Sequence, residues 1–135
     1  MVRVSPRKGS RRRYPRRVPD TVRLWLHLES AAALVAGVAI YRAAGGDWLW
    51  LVPLLLVPDI SIAGYLANPA AGAFVYNVVH NFVVGLALVG LGVWADSGAL
   101  EIAGAVLIAH VGGDRLLGYG LKHAEGFKDT HLQRA

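Results

Sequence analysis

The chain has 135 residues, enough for one domain, of which 55% are hydrophobic and only 17% charged. Soluble domains carry roughly 25% charged residues, so an ordinary water-facing globule is excluded, and the absence of cysteine excludes disulfides, thiolate nucleophiles and cysteine metal sites. The net charge of +5 is uneven: residues 1–19 hold eight basic side chains and no acidic one, while the remainder holds six basic against nine acidic, a net −3.

Residues 1–19, with three prolines, read as a disordered basic arm. Its expected work is topology and contact with anionic lipid, about 1 kcal/mol per basic residue near the surface. No aromatic interleaving beyond Tyr14 supports nucleic acid as a partner. The hydrophobic stretch that follows contains Glu29 and lacks a small-residue cleavage site, so no signal peptide is expected.

Residues 20–121 are expected to form an all-α, four-helix transmembrane bundle. The spans run from about Thr21 to Tyr41, Trp48 to Leu66, Ala70 to Trp94 and Ala99 to Leu121. Each approaches the ~20 residues that cross ~30 Å of hydrocarbon. They are separated by Gly45-Gly46, Asn68-Pro69 and Asp96-Ser97-Gly98, loops short enough to force antiparallel neighbours. Stretches such as 31–40 and 82–93 are apolar all round, which suits lipid rather than water. The basic arm and Lys122, Lys128 and Arg134 put both termini in the cytoplasm, with Trp48, Trp50 and Trp94 at the opposite interface. The expected location is a bacterial inner or plasma membrane, crossed several times. Residues 122–135 read as a cytoplasmic tail or a lid over the inner mouth.

Ionisable groups inside a bilayer are expensive and face protein rather than lipid. Glu29, Asp59, His80, His110 and Asp114 all fall roughly 10–16 Å from the cytoplasmic face at ~1.5 Å per residue, so every span adds to one polar layer. His110 and Asp114 are four apart, as are Asn77 and Asn81 around His80. Pro58 precedes Asp59 and Pro53 lies one turn before it; each frees a carbonyl in that helix and can kink it. Three carboxylates face one obligate cation, Arg115, and two histidines. Protonated carboxylates, protonated histidines or a bound cation would each balance the charge.

Glu29, Asp59, His80, His110 and Asp114 are the candidate acid–base residues. Tyr65, Tyr76, Asn77, Asn81, Arg115 and Tyr119 are the candidates for holding a substrate. The expected chemistry is a cofactor-independent cyclisation or isomerisation of a hydrophobic isoprenoid, polyketide or lipid-like molecule. The alternatives are a small proton- or cation-coupled transporter and a non-catalytic membrane assembly subunit. No cofactor is expected, with a divalent metal at His80, His110 and Asp114 as the alternative. A homodimer could complete a cavity that one small bundle only half encloses.

Pro58-Asp59, Gly64-Tyr65, Tyr76-Asn77-Val78-Val79-His80, Ala109-His110-Val111-Gly112-Gly113-Asp114-Arg115, Gly118-Tyr119-Gly120-Leu121-Lys122 and Gly126-Phe127-Lys128-Asp129-Thr130-His131-Leu132 occur in that order. The set resembles an uncharacterised bacterial membrane family, domain of unknown function 4260, over about residues 22–133. Asn81, Gly113 and the arginine arm depart from its pattern. The resemblance implies a small multi-pass membrane protein and carries no activity.

Overall fold

The computed structural model describes residues 20–121; the expected arm (1–19) and tail (122–135) lie outside the described residues. These form helices only: α1 (Asp20–Ala43), α2 (Trp48–Leu56), a 3-10 segment (Val57–Leu66), α3 (Pro69–Val79), α4 (Phe82–Trp94) and α5 (Gly98–Leu116).

Local chemistry sets most boundaries. Beyond α1, Gly45 takes a left-handed φ of +87°, a conformation open to glycine at little cost. The buried Tyr41 hydroxyl then donates to the Asp47 carbonyl at 2.6 Å. The Asp47 side chain accepts the Leu49 N–H at 2.7 Å and opens α2. Pro53 and Pro58 remove two N–H donors, and past Leu56 the chain tightens into a ten-residue 3-10 segment, long for a form that rarely exceeds 3–4 residues. Asn68 caps α3 through the Ala71 N–H at 2.8 Å, with Pro69 in the first position.

The expected continuous helix over residues 70–94 is not what forms. It breaks at His80 and Asn81, and its halves bend by 44°. Asn81 is the cause. Its amide donates to the carbonyls of Asn77 and Val78, both at 2.7 Å, while its Oδ1 accepts the Val84 N–H at 3.0 Å. One side chain thus closes the end of α3 and caps α4, competing with the continuous backbone ladder. The fourth helix also ends earlier than expected, at Leu116, before the left-handed Gly118.

α5 is the most enclosed helix among the described residues, with α1 and α4 packed along it. The approach is backbone to backbone. A Cβ on Gly37 would lie 2.5 Å from the Ala109 nitrogen, and one on Gly112 would lie 2.6 Å from the Leu34 nitrogen; small residues allow such contact in lipid. α3 packs on the 3-10 segment, making a separate hairpin beside this core.

Two helices, Asp20–Ala43 and Trp48–Leu66, are long and apolar enough to cross a membrane, and the bent pair Pro69–Val79 and Phe82–Trp94 makes a third if counted as one span. Large apolar side chains such as Trp25, Leu49, Val83 and Trp94 point outward. Together these features suggest a membrane protein. α5 does not match the other spans in composition, because Glu101, Asp114 and Arg115 share its 19 residues. Enclosure by α1 and α4 removes the need for it to be apolar all round.

Candidate functional site

The two halves of the molecule meet in a cluster to which each contributes one imidazole and one carboxylate. The hairpin supplies Asp59 from the 3-10 segment and His80 from the α3–α4 break, whereas α5 supplies His110 and Asp114, one turn apart. Both histidines are buried, while the Asp59 and Asp114 side chains are 44% and 22% exposed. The centre is therefore reached from the carboxylate side.

Backbone carbonyls fix both imidazoles. His110 Nδ1 lies 2.7 Å from the Leu55 carbonyl and His80 Nδ1 lies 3.0 Å from the Tyr76 carbonyl. A carbonyl only accepts, so each Nδ1 carries hydrogen, and each ring, when neutral, turns a bare Nε2 lone pair inward. Pro58 explains why the Leu55 carbonyl is free. In a 3-10 pattern its donor would be the N–H of residue 58, which proline lacks.

The two Nε2 atoms are 3.0 Å apart, with the rings edge to face. Asp59 Oδ1 lies 3.6 Å from each Nε2, and Asp114 Oδ2 lies 3.8 Å from that of His80 and 3.6 Å from that of His110. The Tyr76 hydroxyl donates to Asp114 Oδ2 at 3.3 Å, and its ring stacks on His80 with centroids 3.7 Å apart. Four Lewis-basic atoms thus converge. Two lone pairs cannot hydrogen-bond to each other, and the carboxylates add negative charge, so the arrangement calls for a positive centre: a metal ion or an added proton.

A tetrahedral ion with bonds of about 2.1 Å holds its ligand atoms about 3.4 Å apart. The edges among Asp59, His80 and His110 are 3.0–3.6 Å, close to that value, and Asp114 Oδ2 lies 3.6–3.8 Å from the two Nε2 atoms. Asp59, His80 and His110 alone offer ligand atoms all within 4.8 Å of one another. The supporting bonds have the form usual for metal-binding histidine, with Nδ1–H on a carbonyl and a ligating carboxylate held by a hydroxyl.

Of the residues expected at a site, Asp59, Tyr76, His80, His110 and Asp114 come together. Glu29 does not join them; it lies on an exposed face of α1. Tyr65 covers Gly72 with its ring, tying the 3-10 segment to α3. Asn77 and Asn81 hold the helix break through the bonds described above. The Arg115 guanidinium sits 4.4 Å over the Phe82 ring, a cation–π contact rather than a contact with the carboxylates. Tyr119 is exposed, and its N–H donates to the Asp114 carbonyl at 2.8 Å. With Tyr76, His80, Asp114 and Arg115 it borders a small crevice beside the cluster. The Leu55 carbonyl escaped sequence reasoning. Its signal was Pro58, three residues on.

The family model described as Domain of unknown function (DUF4260) matches residues 23–135, and the chain belongs to that family. No curated protein and no solved structure matches it.

Proposed function

We propose that this is a multi-pass protein of the bacterial cell membrane whose working centre is a divalent transition-metal site made by Asp59, His80, His110 and Asp114. The supporting observation is the convergence of two Nε2 atoms 3.0 Å apart with a carboxylate oxygen from each of Asp59 and Asp114 at 3.6–3.8 Å, both Nδ1 atoms being already committed to carbonyls. Imidazole with carboxylate and no thiolate suits zinc, manganese, iron or cobalt in the divalent state. Such an ion would supply Lewis acidity and a water of lowered pKa. The chain's own contribution is to orient the imidazoles, to hold Asp114 through Tyr76 and to leave Asp59 half open to an incoming molecule. α5 serves as an enclosed fourth crossing, and the eight basic residues of the arm support cytoplasmic termini.

The sequence alone favours a cofactor-free acid–base enzyme; the imidazole orientations, which depend on tertiary contacts, support the metal instead. One observation favours a second reading. The 3.0 Å Nε2–Nε2 separation is also that of an N–H···N hydrogen bond. With one imidazole protonated, the cluster is a shared-proton centre for acid–base chemistry or proton movement.

Elemental analysis of the purified full chain tests the choice. About one divalent ion per chain is expected, with His110→Ala reduced to background while the helical circular dichroism persists. No bound ion and no uptake on titration with zinc, cobalt or manganese would end the metal reading in favour of the shared proton.

A further inference from the structure

We propose that the cleft between the 3-10–α3 hairpin and α5 holds one hydrocarbon chain of a membrane amphiphile, whose oxygen-bearing head reaches the Asp59–His80–His110–Asp114 cluster. This rests on that cluster being the working centre.

The cleft has a volume of about 580 Å³, within the ~300–1,000 Å³ of small-molecule pockets. Leu54, Val57, Val75, Val79, Ile102 and Val106 are among its walls. Its position links it to the cluster. Pro58 and Val79 line it and immediately precede Asp59 and His80, and Val106 lines it one turn before His110. Along α5 the lining runs from Ala99 to Leu107, about 12 Å at 1.5 Å per residue. The space is therefore a column along a helix, with the polar centre at one end.

An apolar column of this kind offers water too few partners to hold it. Ser61 is the one polar residue among these walls, and its hydroxyl is buried without a hydrogen-bond partner. Apolar walls, one spare hydroxyl and a cluster that attracts a metal-bound oxygen together describe an amphiphile. The hairpin elements beside the cleft are candidate membrane spans, so such a molecule can enter sideways from the bilayer.

The test uses the full chain in lipid nanodiscs and a dodecanoic acid bearing a mid-chain diazirine. Photolabelling should concentrate on Val75, Val79, Val106 and Leu107. Unlabelled dodecanoic acid should reduce it about tenfold, as should Ala103→Trp or Ala99→Phe, which fill the cleft from its exposed edge. Val83→Trp, on the outward face of α4, should leave it unchanged. In the cobalt-loaded protein, dodecanoic acid should shift the visible spectrum, and Ala103→Trp should abolish the shift. Label spread over Val83, Leu86 and Trp94 without competition would overturn the proposal. So would crosslinks that join two chains through the cleft residues. Metal content measured on the same samples separates the two readings. Cleft labelling in a chain that takes up no metal removes the metal centre and keeps the cleft, whereas bound metal with dispersed label removes the cleft alone.

Discussion

Tyr76→Phe removes one oxygen atom and keeps the ring that stacks on His80. The lost bond runs from the hydroxyl to Asp114 Oδ2 at 3.3 Å, the long end of the hydrogen-bond range. Hydrogen bonds to charged groups are worth about 1.5–3 kcal/mol, and a long one belongs at the low end. About 1.5 kcal/mol corresponds to roughly tenfold in affinity, matching the lower edge of the ~10–100-fold cost of losing an outer-shell partner. The variant should therefore bind zinc or cobalt about tenfold more weakly, measured by competition with a chromophoric chelator in detergent. Its metal-free thermal midpoint should move by only a few degrees, because ring packing is intact. His110→Ala, which removes a ligand, should lose far more affinity than Tyr76→Phe. Affinity within about twofold of the parent, or a stability loss equal to the affinity loss, would refute the view that Tyr76 acts by aiming Asp114.

Metal affinity should fall as pH is lowered, because an imidazole must be neutral and a carboxylate ionised to ligate. A titration of metal affinity that stays flat as pH is lowered would count against the site. Gly37→Leu should cost more than about 3 kcal/mol in a detergent melt, because the new side chain meets the Ala109 nitrogen and Ala105 carbonyl, which are backbone atoms unable to rotate away. Glu29→Gln should leave metal content and thermal midpoint unchanged, given its exposed position on α1. Asn81→Ala should cost about 0.5–2 kcal/mol for the lost cap, and it should weaken metal binding as well, since His80 sits in the break that Asn81 holds.

Much of this architecture was legible in the amino-acid order because the signals are local. Long apolar stretches punctuated by glycine, proline and asparagine specify helices and their ends wherever the chain lies. The i,i+4 spacing put His110 and Asp114 on one face of α5. Pro58 announced a freed carbonyl somewhere in its helix, though not that His110 would take it. Helix rise, the same for every residue of every helix, grouped Asp59, His80, His110 and Asp114 at one depth. It failed for Glu29 because depth says nothing about azimuth: a residue at the right height can still point away. Residues 70–94 also read as one continuous helix, since nothing in a hydropathy pattern reveals that the Asn81 side chain outcompetes the helical ladder.

What the order of residues determined by itself is the class of molecule: helical, apolar, with its few ionisable groups gathered at one level. Which of those groups meet, and which nitrogen of each imidazole faces the others, was decided by tertiary structure alone. The reason is geometric. A tautomer is set by the partner on the far nitrogen, and for His110 that partner is a carbonyl 55 residues away in the chain, so only folding can turn two imidazoles and two carboxylates into one inward-facing set.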